Sequence, residues 1–330
     1  MIELKNDTLV FSFPEVHADA VARVEFQRTL RIPDDGDEYP LPPGLGRFPL
    51  RHVDDHAKRV PARWLKRGGV MLPMYQSEAM WLNFRADYPF AVKVATGKIN
   101  AVTGESWSDG LHRDPQDYLV IPTQPWLDGY CVEKGVIRQF VAMPFGSGTS
   151  VEEQLTGSEE HGGVQITMYP IKPAVYEKTR ARRARPAMFL NSSIEYCLEP
   201  DMGLAAGGRM RQEIYDDSHD FRDWDLRHQS RCFVNLANAL VWRAITGNSP
   251  PGKPPTAKEY NRAGLPWFEY YGADHKALEG AAKFENLKSV VQIGKEKGEA
   301  PIPENESVTP RKVIELRDEL GRDQVREGVF

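Results

Sequence analysis

Four aspartates, Asp109, Asp114, Asp117 and Asp128, stand close together in the chain, with Trp107 and Trp126 among them. Glycoside cleavage needs an acid to protonate the leaving group and a second carboxylate as base or nucleophile. Sugar recognition needs a flat ring to stack on, and these residues supply all three. The plainer reading is that aspartate is a common turn former and that tryptophans anchor loops to a core. Trp126–Asp128 is the first candidate for ligand contact, because it joins a stacking surface to a hydrogen-bond acceptor at a turn between two apolar runs.

A second pattern is Gly203-Leu-Ala-Ala-Gly-Gly208, which has the glycine spacing of a phosphate-binding loop. Arg209 takes the lysine position and Met210 the position of the hydroxyl that would hold magnesium, so nucleotide hydrolysis is not expected. An anion resting on backbone amides beside Arg209 and Arg211 is the functional reading, and a Gly-rich turn the plain one.

His52 and His56 are separated by four residues, which on a helix puts two imidazoles on one face. Zinc proteases use this spacing with a glutamate in second place, but Val53 stands there and a third ligand must come from elsewhere. His112-Arg-Asp114 has three letters of a kinase catalytic loop. Leu119 occupies the asparagine position and no DFG follows, which rules that reading out. No G-x-S-x-G elbow is present, and no residue set calls for an organic cofactor.

Two charge blocks of opposite sign follow later in the chain. Lys178, Arg180, Arg182, Arg183 and Arg185 are basic, and Glu213, Asp216, Asp217, Asp220, Asp223 and Asp225 are acidic. Solvated faces are the default for such runs, and contacts between subunits the functional alternative, so a homo-oligomer is expected. A net charge of −5 argues against a general nucleic-acid binder. Cys131, Cys197 and Cys232 are few, odd in number and far apart, so neither a disulfide framework nor a cysteine zinc site is expected. No apolar run approaches the roughly 20 residues of a membrane helix. The opening MIELKNDTLVFSF shows no secretory pattern, and the expectation is a soluble, cytoplasmic protein.

The elements that must position these residues are mostly strands. Residues 22–32 alternate cleanly, with Ala22, Val24, Phe26, Leu30 and Ile32 on one face. Arg28 falls on that apolar face and therefore needs a buried carboxylate or a bound anion. Strands are further predicted at 8–13, 70–75, 79–84, 91–95, 98–102, 118–121, 136–143 and 162–171, with turn signals about every ten residues. Residues 188–198 read as another sheet segment. Helices are predicted at 52–67, from the capping box Ser150–Glu153, at 172–185, at 230–246, from the capping box Thr256–Glu259, and at 310–320.

The fold class is thus α+β. A β-rich, sandwich- or barrel-like part spans 1–148, a mixed part 149–298, and a linker with a short helix 299–330. Three functions fit: a non-enzymatic binding or self-assembling protein; a hydrolase acting on a glycan or other polar substrate through the loop aspartates; or a metal-dependent enzyme using His52 and His56.

Overall fold

Asn6 and Asp7 both take positive φ, 50° and 56°. This is the two-residue turn whose twist matches that of the flanking strands, and it closes a hairpin of β1 (Ile2–Lys5) on β2 (Thr8–Ser12). The alternating segment forms β3 (Val21–Thr29), antiparallel to β2. The computed structural model of the chain describes residues 1–158, 160–179, 201–270, 275–300, 302 and 305–316. Among the described residues, seventeen strands join in one sheet, and a second sheet has two.

The proline-rich stretch after β3 is short strand and extended chain: β4 (Glu38–Tyr39), β5 (Gly44–Arg47) and β6 (Arg51–His52). Helix α1 (Ala62–Arg67) follows Pro61, consistent with a proline stopping any earlier helix. The aromatic and apolar segment then gives β7 (Val70–Met74), β8 (Ala79–Ala86), β9 (Phe90–Thr96) and β10 (Ile99–Asn100). Next come β11 (Leu119–Ile121), β12 (Trp126–Leu127), β13 (Gly129–Glu133) and β14 (Val136–Pro144).

After the Ser150–Glu153 capping box and α2 (Val151–Thr156), the chain returns to the sheet with β15 (Val164–Pro170). Helix α3 (Pro173–Thr179), β16 (Asp201–Arg211) and β17 (Ser230–Asn238) follow. Helices α4 (Ala239–Thr246), α5 (Ala257–Arg262) and α6 (Val290–Glu296) pack around the sheet, α5 opening on the second predicted capping box. The small sheet pairs β18 (Trp267–Tyr270) in parallel with β19 (Val313–Leu316).

The large sheet does not divide at residue 148. β9 pairs with β15, β14 with β16, and β7 runs parallel to β17, so strands from either side of that point are neighbours. The fold is β-rich with a few helices, and no helix among the described residues is long and apolar enough to cross a membrane.

Several predicted elements are corrected. Residues 230–246 are not one helix but β17 followed by α4, with the Asn238 side chain accepting from Leu240 N as the cap. The Gly203–Gly208 segment is no loop but the middle of β16. A Cβ on Gly208 would lie 2.2 Å from Pro33 O, so this glycine serves close backbone packing. His52 lies on β6 and His56 ends a single 3₁₀ turn, so the two do not share a helix face. Val313–Leu316, read as helix, is strand. Residues 180–200, which hold the rest of the basic block, Cys197 and the predicted segment 188–198, lie outside the described residues, as do 317–330.

The expected partner of Arg28 is present. Its Nε donates to Glu78 Oε1 at 2.7 Å, Nη2 lies 2.5 Å from the same oxygen, and both side chains are fully buried. Tyr75 N donates to the second oxygen of Glu78 at 2.9 Å.

Candidate functional site

Trp126 and Arg211, distant in sequence, face one cleft. Antiparallel pairing with β8 sets Trp126 opposite Asn83, and Arg211 is the last residue of β16. β18 is brought alongside by two backbone bonds, Leu41 N to Phe268 O at 2.8 Å and Phe268 N to Leu41 O at 2.9 Å. This sets Tyr270 beside Trp126, ring centroids 4.8 Å apart and planes at 64°. Arg211 hydrogen-bonds Glu269 on the same strand. Leu41, Glu213 and Tyr215 complete the walls of a small, shallow cleft.

Two buried amides hold its base. Gln124 Nε2 donates to Trp126 O at 3.1 Å and to Glu213 O at 3.2 Å, while its Oε1 accepts from Tyr215 N at 3.0 Å. Gln212 Nε2 donates to Asp128 Oδ2 at 2.9 Å and to Trp126 O at 3.3 Å, and its Oε1 accepts from Asp128 N at 3.0 Å. Asp128 does not line the cleft. It lies behind it, and burial pushes its carboxyl up to about 7 against the opposing pull of hydrogen bonds from Trp126 and Gln212. The cleft offers stacking rings, a guanidinium and a carboxylate on a base of satisfied amides. That is the equipment of recognition.

Trp107, Asp109 and Asp117 belong to a different cluster. Thr167 on β15 pairs with Lys93 on one side and with Arg231 on the other, so the three form one row across β9, β15 and β17. The loop before β11 folds over this row. Lys93 is 1% exposed; its Nζ lies 2.5 Å from Asp117 Oδ2 and donates to Ser108 O at 2.8 Å and Gly110 O at 2.9 Å. Asp117 also accepts from His112 N at 2.9 Å and lies 2.9 Å from His112 Nδ1. The Trp107 ring has both Lys93 Nζ and the Arg231 guanidinium carbon 5.0 Å from its centroid. Arg231 in turn hydrogen-bonds the exposed Asp109 and holds that carboxyl below its ordinary value.

The four aspartates therefore do not converge on one cleft. Asp109 meets Arg231, Asp117 meets Lys93 and His112, Asp128 meets Gln212, and Asp114 is exposed in the loop. Arg209, two residues before Arg211, is bridged to Glu133 at 2.7 Å and to Glu38 at 3.0 Å. Among the described residues no group of three or more His, Cys, Asp or Glu side chains could hold a metal ion. Sequence reading missed Gln124, Gln212, Tyr215 and Tyr270 as site residues. Tyr270 carries a signal in the aromatic run 265–271, and the two glutamines carry none.

Comparison with protein-family models, with curated proteins and with solved structures found no match to the chain.

Proposed function

We propose that this is a non-enzymatic binding protein whose ligand is a small polar molecule with a flat apolar face, of which a sugar ring is the best-fitting class. The observation that carries the reading is the Trp126–Tyr270 corner, two edge-to-face rings 4.8 Å apart that line one cleft with Arg211, itself paired with Glu269. A pyranose stacks its C–H face on such a ring and turns its hydroxyls to the charged pair. Hydrolysis fits less well. A glycosidase needs two carboxyl groups about 5–10 Å apart on one cleft, whereas Asp109 and Asp117 are occupied by cations and Asp128 lies behind the wall.

A glycan array probed with wild type and Trp126→Ala tests this. The expected result is binding to a narrow set of glycans that falls on the order of tenfold in the variant, the worth of one stacked ring. Binding that survives the substitution unchanged, or no glycan bound at all, would overturn the reading.

A further inference from the structure

We infer that β19 is a docking edge for a second copy of this chain, the two strands pairing antiparallel about Val313 with Arg311 of each copy against Glu315 of the other. The inference does not depend on the cleft being a ligand site.

The small sheet has one anchored side and one outer side. β18 is fixed to the body of the fold through Phe268, which exchanges both of its backbone bonds with Leu41. On its other side β18 pairs in parallel with β19, and Trp267 N donates to Lys312 O at 2.8 Å. Backbone groups of successive residues in a strand point to alternate sides. Lys312, Ile314 and Leu316 therefore address β18, while Val313 and Glu315 turn their N–H and C=O outward. Among the described residues no further strand lies on that outer side.

The edge is also apolar. Five large hydrophobic side chains are exposed among the described residues, and three of them, Leu265, Val313 and Leu316, lie on this sheet or just before it. Such an edge is a template for another strand, and charged side chains are the usual means of blunting it.

Here the charges choose the partner. Arg311, Val313 and Glu315 follow at intervals of two, and all three are exposed. A two-fold axis through Val313 pairs that residue with its own counterpart, so that each outward N–H meets the other's C=O. The same axis sets Arg311 across from Glu315 of the second copy, and it does so twice. The chain bends at Arg311, and the long arginine side chain reaches across that step. Other registers lose the match. Pairing about Glu315 brings two carboxylates together, and pairing about Ile314 sets Glu315 against Val313. The two charges thus reject most like edges and accept one. A different protein would need its own matching pattern, whereas a second copy has it by symmetry.

Sedimentation velocity on the full chain, from about 5 to about 500 µM, tests this, since so small an interface holds in the micromolar range at best. Wild type should pass from monomer to dimer as concentration rises. Arg311→Glu and Glu315→Arg change only exposed side chains. Each sets like charges against one another and should weaken the dimer on the order of tenfold or more. Mixed in equal amounts, the two variants bring opposite charges together again and should pair with each other about as strongly as wild type. That rescue acts only between copies, so no effect within one chain imitates it. Wild type that stays monomeric throughout overturns the inference, the edge then being filled by the chain's own last residues or by another protein. Single variants that dimerise like wild type, or a mixture no stronger than either variant alone, overturn it equally.

Discussion

Replacing Arg28 by methionine is the sharpest perturbation the fold offers. The side chain lies wholly inside, between Glu78 and the Gly252 carbonyl, and methionine keeps its approximate length while removing its charge. Glu78 would retain one donor, Tyr75 N at 2.9 Å, and lose the cation paired with it. Breaking a buried pair by removing one partner costs about 3–5 kcal/mol, because the other charge is left without compensation. With an unfolding entropy of about 2.1 cal/mol/K per residue, a chain of 330 residues converts this to a fall in Tm of roughly 4–7 °C. The sign of the pH effect follows from Glu78, whose carboxyl burial already lifts above its usual range despite the pull of Arg28. Without Arg28 it rises further. A carboxyl raised on folding binds more protons folded than unfolded, so stability declines as pH rises from its unfolded value of about 4.3 through its folded one. The deficit of Arg28→Met should therefore be largest at pH 8 and shrink towards pH 5, as scanning calorimetry will show. Arg28→Met with Glu78→Gln should recover most of the loss, since the amide oxygen still accepts from Tyr75. A Tm within 1 °C of wild type at pH 8, or a double variant no better than the single, would refute the reasoning.

Lys93→Met should strand Asp117 in the same way, at about 3–5 kcal/mol. It also removes the bonds to Ser108 O and Gly110 O that clamp the loop over β9, so limited proteolysis should cut within 103–117 faster than in wild type. Gly208→Ala places a Cβ 2.2 Å from Pro33 O and should lower stability by about 1–3 kcal/mol in urea titration, with the m-value unchanged.

Strands marked by alternation, or by an apolar run bounded by turn signals, were readable from sequence. The alternation of Ala22, Val24 and Phe26 marked β3, and the apolar runs of β7, β8, β9, β14 and β15 were placed to within about two residues. β17 was not: it is buried at every position from Val234 onward, as β9 and β15 are, but no turn signal marks where it ends. With no polar face there is no period of two. Phe233, Leu236, Ala237, Leu240 and Val241 happen to fall at helical spacing, and the true boundary at Asn238 is a cap that only the fold reveals. β16 hid behind its glycines, which read as a turn until Pro33 and Val141 are seen pressing on them. The site was half visible. Trp126 and Arg211 stood out by residue type. Their meeting depends on strand register across 84 intervening positions and on Gln124 and Gln212, whose role lies in hydrogen bonds to backbone with no trace in composition.

The parallel pairing of β7 with β17 sets a timetable for synthesis. Val70 leaves the ribosome 164 residues ahead of its partner Val234, which at 5–20 residues per second is a wait of roughly 8–30 s. The edges of β9 and β14 likewise wait for β15 and β16. During that interval Val-Met-Leu-Pro-Met presents a sticky, unzipped margin to every other nascent copy. Yield in a cell should therefore depend on translation speed and on chaperones that shield strand edges, more than on the stability of the finished fold.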